Sequence, residues 1–160
     1  MQKAQLILPL TAILLLAGLA SGLSAEPFKQ GMTEYNAGNY VAAFKLFEQA
    51  AEQGHPSAQY QLGLMYIYGK GAAQNDKEAV KWMIKAANQG NTQAQYQLGL
   101  SYLNGRGIAW SALQAYKWLS LAAVDGDSNV NKMRDLVASE LTQEQVAEAQ
   151  KQAHNWKPKH

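Results

Sequence analysis

A repeat of 36 residues dominates this chain and limits what it can fold into. Residues 55–90 and 91–126 align without a gap, and 17 of the 36 aligned positions are identical. The longest identical block is Ala58–Leu64, which recurs as Ala94–Leu100. A period of this length indicates an array of stacked structural units, each too small to bury its own apolar surface.

Each unit is predicted to be a pair of helices. Ala58, Leu62 and Tyr66 are spaced i, i+4, i+8, which places them on one side of a helix. The Gly-x-Gly sequences at 69–71 and 105–107 are expected to end this helix, because glycine adopts positive φ without steric cost. The chain has 26 alanines and 15 β-branched residues, a balance that favours helix over sheet.

Two further patterns describe how the helices of a unit begin and pack. Asn75 is followed three residues later by Glu78, and Ser111 by Gln114, so each second helix is predicted to start with a capping box. Gly63 lies inside the first helix, where glycine costs about 1 kcal/mol relative to alanine. Its recurrence in the next unit predicts two helices that approach too closely for a Cβ.

Shorter segments flank the two complete units. We predict a partial leading repeat at 26–54, a C-terminal helical cap at 127–156 and a tail at 157–160. Thr142 and Gln145 predict another capping box within the cap. Because neighbouring hairpins must stack to bury their apolar faces, the predicted fold class is all-α, a right-handed α-solenoid of stacked helix hairpins.

The first 25 residues have the composition of a secretory signal peptide. Lys3 is their one charged residue, the stretch Leu6–Ala20 is apolar, and small residues follow it. We expect cleavage near Ala25, a periplasmic or secreted bacterial protein, and no stable membrane insertion after cleavage. The alternative is an uncleaved membrane anchor, since the apolar stretch just reaches spanning length, although Pro9 and two glycines interrupt it.

The repeated residues resemble a known family. The pattern Ala-x-x-x-Leu-Gly-x-x-Tyr-x-x-Gly-x-Gly, followed by Ala-x-x-Trp-x-x-x-Ala-Ala-x-x-Gly, resembles the Sel1-like repeat, a subgroup of tetratricopeptide-type α-solenoids. Residues 55–90 and 91–126 match it over their whole length with two departures. Asn75 and Ser111 replace the usual Asp, and Met83 and Leu119 replace an aromatic residue after the Trp. The leading segment at 26–54 resembles a tetratricopeptide-like entry to such an array.

The resemblance implies a protein-interaction scaffold or adaptor in the bacterial cell envelope. Its partner would be another envelope protein or peptide, bound in the concave groove, and we expect a monomer. One alternative is an immunity or inhibitor protein that neutralises a secreted effector. Another is a cell-wall or β-lactam hydrolase, because a cysteine-rich branch of the family is associated with β-lactam hydrolysis. This chain has no cysteine and so departs from that branch.

No residue pattern in the chain points to catalysis. The absence of cysteine excludes disulfides, thiolate metal sites and a cysteine nucleophile. His55, His154 and His160 include no pair at the i, i+4 spacing of a helical metal site. Glu144 and Glu148 lie one turn apart and are interpreted as a solvated helix surface. We predict no enzymatic activity, no metal and no cofactor. A net charge of +2 also gives no electrostatic case for a nucleic-acid partner.

The candidate binding residues are aromatic and aliphatic side chains beside the packing stripe of the first helices. By analogy with tetratricopeptide folds, these helices line the concave wall. An equal alternative is that these side chains are core beneath the neighbouring unit. Trp110, which replaces Gln74 of the sister unit, is either a binding hot spot or a cover for the adjacent helix end. The predicted partner-binding residues are Tyr60, Leu64, Ile67, Tyr68, Tyr96, Leu100, Leu103 and Trp110.

Overall fold

The computed structural model describes residues 24–159, apart from the side chain of Asp125. Most of the predicted signal peptide, residues 1–23, and His160 lie outside the described residues. Within the described range the chain forms eight α-helices, one short 3-10 helix at Ala123–Asp125 and no strand. The α-helices are α1 (24–36), α2 (Tyr40–Glu52), α3 (Pro56–Tyr68), α4 (Asp76–Asn88), α5 (Thr92–Asn104), α6 (Ala112–Ala122), α7 (Ser128–Ala138) and α8 (Gln143–His154).

The helices keep the 36-residue period of the sequence and stack as an α-solenoid, which confirms the predicted fold class. We call α3, α5 and α7 the A helices and α2, α4 and α6 the B helices. The A helices begin at Pro56, Thr92 and Ser128, and the B helices begin at Tyr40, Asp76 and Ala112. The first helix of the predicted cap, α7, therefore stands in phase as a third A helix.

Capping side chains fix the start of α4 and α6, but only half of each predicted capping box forms. The Asn75 side chain accepts a hydrogen bond from the backbone N–H of Glu78 at 3.2 Å. The backbone N–H of Asn75 donates to the carbonyl of Tyr66, and the Glu78 carboxylate binds Lys81. The cap N–H is thus already occupied by the preceding helix. The same arrangement recurs one unit later at Ser111.

The two helices within a unit pack too closely for a Cβ at the repeated glycine, as the sequence predicts. An ideal Cβ on Gly63 would lie 2.8 Å from Cε of Met83 and 3.2 Å from the carbonyl oxygen of Ala79. One unit later, a Cβ on Gly99 would lie 2.8 Å from Cγ of Leu119. Close backbone approach therefore offsets the low helix propensity of glycine at this position.

The second glycine of each Gly-x-Gly loop packs against the preceding B helix. Gly71 and Gly107 have φ angles of 77° and 72°. An added Cβ at these positions would overlap the carbonyl oxygens of Tyr40 and Asp76, at the first turns of α2 and α4. The loops, predicted only as turns, are also contacts between units.

The basic residue between the two glycines also contacts the preceding unit. Lys70 Nζ donates to the Tyr35 hydroxyl at 2.8 Å and lies 4.7 Å from the ring centroid of Tyr40. This hydrogen bond is the main cause that raises the pKa of Lys70. In the next unit, Arg106 Nε forms an ion pair with Asp76 Oδ2 at 2.9 Å. Both contacts join one unit to the unit before it.

Two buried glutamines bind the ends of the preceding B helices. Gln59 Nε2 donates to the carbonyl of Ala51 at 3.1 Å, and Gln95 Nε2 donates to that of Ala87 at 3.2 Å. These carbonyls, in the last turns of α2 and α4, also accept hydrogen bonds from the backbone N–H groups of Gly54 and Gly90, so each glutamine adds a second donor at the helix end. Gln59 also accepts a hydrogen bond from Gln89 at 2.8 Å. Sequence analysis missed this role, although repeated glutamines inside an apolar block were the available signal.

Helix α8 closes the array by packing against α6. Ala149 is fully buried in this contact, and Gln150 Nε2 donates to the Tyr116 hydroxyl at 3.1 Å. The predicted capping box of Thr142 and Gln145 forms completely. Among residues 24–159, no helix combines the length and the apolar composition that a bilayer span requires.

The chain after α8 folds back onto the repeats. The Trp156 and Trp118 rings meet edge to face with centroids 6.4 Å apart, and Trp156 also lies beside Gly90. The Lys159 backbone N–H donates to the carbonyl of Asn88 at 2.8 Å. The described part of the predicted tail is therefore docked at the end of α4.

Candidate functional site

A cavity of about 420 Å³ opens between the three A helices, and we call it the A-helix groove. It brings together Tyr60 and Tyr96, two predicted binding residues that are 36 positions apart in the sequence. The remaining lining is mostly amide and hydroxyl side chains, which the sequence analysis did not select. The groove residues are Tyr60, Thr92, Gln93, Tyr96, Gln97, Ala122, Asp127, Asn129 and Val130.

Tyr60 and Tyr96 both line the groove and support the core. Both side chains are half-buried. Tyr60 packs against a core cluster between the repeated units, which includes Met83, Leu98 and Trp118. Tyr96 packs against a core cluster beneath α6, which includes Leu119, Val137 and Ala149. Burial raises the pKa of Tyr60, and the nearby Tyr68 raises it further. The Tyr60 hydroxyl is therefore protonated at neutral pH and can donate a hydrogen bond. The two alternatives from the sequence, groove or core, both describe part of the arrangement.

A row of leucines continues along the A helices. Leu64 and Leu100 are half-buried on α3 and α5, and Leu64 packs against the cluster between the repeated units. Leu136 stands in the same register on α7 and is 58% exposed. Sequence analysis missed Leu136, because the repeat pattern fades after residue 126. The 36-residue offset from Leu100 was the available signal.

Ile67 and Leu103 pack inward and do not line the groove. Ile67 lies against the same cluster as Leu64, and Leu103 against the cluster beneath α6. Ile67 also borders a small cavity next to Asp76 and Arg106, and its carbonyl accepts a hydrogen bond from Arg106 at 3.4 Å. These two side chains are placed by the structure at the contacts between helices.

Tyr68 and Trp110 are the most exposed of the predicted binding residues, at 64% and 62%, and neither lines the groove. Trp110 follows the second Gly-x-Gly loop, and its Cβ would lie 3.6 Å from a Cβ added to Gly105. Its backbone thus adjoins the end of α5 while most of the side chain is open to solvent. Trp110 is therefore separate from the groove, whereas Tyr68 lies near enough to the groove residue Tyr60 to raise its pKa.

The carboxylate at the groove is held by a helix end. Asp127 caps α7, and its Oδ1 accepts hydrogen bonds from the backbone N–H groups of Asn129 at 2.7 Å and Val130 at 3.3 Å. These hydrogen bonds satisfy two of the N–H groups that the first turn of a helix leaves without an intrahelical partner, and they hold the carboxylate in place. Asp127 therefore contributes a fixed negative charge at one side of the groove.

The groove offers hydrogen bonds and apolar contacts, and its chemistry suits binding. Its side chains supply phenol hydroxyls, amides and a threonine hydroxyl around a partly apolar floor. Over the part of the chain that the structure describes, no three His, Asp or Glu residues are grouped so that they could hold a metal ion. His55 caps α3 and His154 is exposed on α8, and neither histidine lines the groove.

Comparison with known families and proteins gives three tandem matches in one family. The family model described as Sel1 repeat matches residues 31–55, 56–91 and 92–127. The chain is 43% identical over 54 residues to an exopolysaccharide production negative regulator of Rhizobium meliloti (strain 1021), which covers 34% of this chain and 20% of that protein. It is 38% identical over 50 residues to DAP3-binding cell death enhancer 1 of Rattus norvegicus, covering 31% and 10%. The chain thus spans a fifth or less of these relatives.

Solved structures show the same architecture. A protective antigen of uropathogenic Escherichia coli that displays an SLR fold superposes with a TM-score of 0.79 at 28% identity. That match covers 85% of this chain and 30% of the antigen. A Sel1 repeat protein from Oxalobacter formigenes superposes with a TM-score of 0.66 at 30% identity, covering 79% of this chain and 98% of that protein.

Proposed function

This chain belongs to the Sel1 repeat family, and on that premise we propose that it is a scaffold or adaptor that binds a partner protein or peptide in the A-helix groove. Sel1 repeats mediate protein–protein interactions. The observation that carries the proposal is the cavity in which Tyr60 and Tyr96, from successive units, converge beside exposed amide side chains. Tyrosines with amides nearby suit an extended segment, because they offer apolar area and hydrogen bonds together.

The proposed mode of action is binding alone. Sel1 repeat scaffolds are generally non-catalytic, and the carboxylate of the groove, Asp127, is engaged in capping α7. The hydrolase alternative is tested by incubating the protein with cell-wall fragments and with a chromogenic β-lactam. Turnover of either compound by the wild-type protein would contradict a purely binding role.

The proposed setting is the bacterial cell envelope, as a periplasmic or secreted protein. Its support is the signal-like composition of residues 1–25. Fractionation of the native cells, with mass measurement of the protein recovered, tests the location and the expected cleavage near Ala25. A full-length protein in the cytoplasm would contradict this setting while leaving the binding proposal intact.

The groove is tested with a variant that spares the core. Gln93 and Asn129 are exposed and line the groove, so Gln93→Arg/Asn129→Arg places two large charged side chains at its mouth. Replacing Tyr60 and Tyr96 by alanine would instead remove core packing as well. The matched control is Gln49→Arg/Asn155→Arg, which adds the same charge at exposed positions outside the groove.

We expect the groove variant to lose its partner in a crosslinking pull-down from native cells while keeping the helical circular dichroism of the wild type. The control pair should retain the partner. A partner retained equally by both variants would contradict binding in the groove. A partner identified as a secreted toxin or hydrolase would favour the immunity or inhibitor alternative.

A further inference from the structure

Charge is unevenly distributed over this nearly neutral chain. Residues 79–124 contain no Asp or Glu but carry four basic residues. Arg106 is paired with Asp76, so it adds little to the surface field. The lysines of this stretch belong to the B helices, and none of them lines the A-helix groove.

Helix α4 presents a stripe of three lysines. Lys77, Lys81 and Lys85 are spaced i, i+4, i+8 and are all exposed. At a rise of 1.5 Å per residue, successive members stand about 6 Å apart along the helix axis. The stripe is therefore a continuous row of positive charge about 12 Å long.

Neighbouring elements extend this row sideways. Lys117 on α6 is exactly one unit beyond Lys81, and the docked tail brings Lys159 to the C-terminal end of α4 through its hydrogen bond to Asn88. Burial lowers the pKa of Lys117, and the like charge of Lys159 lowers it further. Lys157 is exposed and lies between Trp156 and Pro158, which both pack beside Gly90 at the end of α4. We call Lys77, Lys81, Lys85, Lys117, Lys157 and Lys159 the basic face.

Two acidic side chains adjoin this surface. Glu148 of α8 accepts a hydrogen bond from Gln152, which in turn accepts one from Gln114 of α6. Glu78 pairs with Lys81 within α4. Lys85 Nζ lies 3.9 Å from the ring centroid of Trp82, and Lys117 Nζ lies 4.7 Å from that of Trp118, so aromatic rings hold these two ammonium groups in place. A cation over an aromatic ring keeps its charge. The basic face therefore keeps a clear positive excess.

The composition of the face favours one kind of partner. Protein interfaces are depleted in lysine and centre on apolar or aromatic anchors, whereas Trp82 and Trp118 lie under the lysines and are partly or fully buried. Sites for nucleic acid favour arginine forks and exposed rings on which bases stack. A two-dimensional patch of lysines without exposed rings matches a planar sheet of phosphate groups, because polybasic clusters of four to eight residues bind anionic membranes.

We propose that the basic face adsorbs to a membrane surface rich in anionic phospholipids. The contact is electrostatic and peripheral, with the ammonium groups among lipid headgroups and no part of the B helices entering the bilayer. No residue of the basic face lines the A-helix groove, which therefore stays free for its partner.

Vesicle co-sedimentation tests this proposal with the protein in the form that its own cells contain. The two vesicle types are phosphatidylcholine alone and an equal mixture with phosphatidylglycerol. We expect binding to the anionic vesicles over the neutral ones, weakening as salt is added. Lys77→Gln/Lys85→Gln should lower the affinity for anionic vesicles by about tenfold or more. A second variant, Lys157→Gln/Lys159→Gln, tests the tail side of the same face.

The matched control is Lys29→Gln/Lys132→Gln, which removes two exposed lysines elsewhere and leaves the same net charge. It should bind anionic vesicles nearly as well as the wild type. Equal binding to both vesicle types, or equal losses in the basic-face and control variants, would overturn the proposal. Tighter binding to a short DNA duplex than to anionic vesicles, lost in the basic-face variants, would assign the face to nucleic acid. The groove variant Gln93→Arg/Asn129→Arg should adsorb at least as well as the wild type, which separates this test from that of the groove.

Discussion

The cap residues of the A helices differ in chemistry although they hold the same position. Asn91 Oδ1 accepts a hydrogen bond from the Ala94 N–H at 2.8 Å, whereas His55 Nδ1 accepts one from the Ala58 N–H at 3.3 Å. The His55 ring also stacks on Phe28, with centroids 4.5 Å apart. An imidazole nitrogen accepts a hydrogen bond only while it carries no proton, so the cap of α3 depends on neutral His55.

Protonation of His55 at acidic pH should destabilise the cap of α3. Burial lowers the pKa of His55 below its ordinary value of 6.5. The unfolded chain therefore binds the proton more readily, and stability is lost as pH falls from about 6.5 through the folded pKa. We expect His55→Asn, which copies the cap at Asn91, to flatten this dependence. Thermal unfolding at pH values from about 5 to 8 measures it. Wild type and variant losing stability in parallel would contradict the role of His55.

At the scale of elements, each unit contacts the preceding one through a loop that packs against a helix. Gly105 and Gly107 lie in one loop and both have positive φ, at 63° and 72°. Around Gly105 the nearest contact of an added Cβ is 3.6 Å away, at Trp110. Around Gly107 the added Cβ would overlap the carbonyl of Asp76. Backbone strain is common to both positions, and the steric conflict with α4 belongs to Gly107 alone.

Alanine at these two positions should therefore have unequal costs. Gly105→Ala is expected to destabilise by about 1–2 kcal/mol, from the left-handed conformation alone. Gly107→Ala should add about 1–3 kcal/mol more, because the loop must move away from α4. Urea unfolding followed by circular dichroism measures both. Equal losses in the free energy of unfolding for the two variants would show that the loop does not pack tightly against α4.

The period of the sequence predicted the elements well, since it reports local geometry. The box at Thr142 follows from residues three positions apart, whereas the phase of the helices and the close contact at Gly63 follow from the recurrence of the same residues 36 positions later. The second half of the box at Asn75 could not be predicted in this way, because the Tyr66 carbonyl that takes its N–H belongs to another helix. The inward turn of Ile67 likewise depends on packing between units. The binding roles of the selected residues stay predictions.

At the scale of the whole molecule, the C-terminal end of the array is closed by contacts that the repeated units do not make. Helix α8 covers α6, and the chain beyond it crosses back to the end of α4. Trp156 joins the cluster between the repeated units, more than 30 residues after the last member of that cluster on α6. Periodicity carries no information on such a distant contact, which is why the sequence predicted neither the packing of Trp156, the last residue of the predicted cap, nor the docking of the tail that follows it.

Removing this contact should loosen the array. Trp156→Ala is expected to destabilise by about 1–2 kcal/mol, less than the 3–5 kcal/mol of a fully buried tryptophan, because Trp156 is half-buried. Trp110→Ala is the control, since Trp110 is 62% exposed and should change stability by no more than about 0.5 kcal/mol. Chemical denaturation compares them, and an unchanged midpoint for Trp156→Ala would show that the Trp156 contact contributes nothing to the stability of the array.

At each interface between units, the loop and side chains of one unit contact the unit that precedes it in the sequence. This affects how further repeats can be inserted into the array. The loop glycine, the basic residue beside it and the buried glutamine each reach the unit before their own. A duplicated copy of residues 55–90, spliced in after Gly90, would bring its own backward contacts and would offer the next unit an unchanged surface. Gene duplication can therefore add length in the interior without any compensating mutation at either terminus.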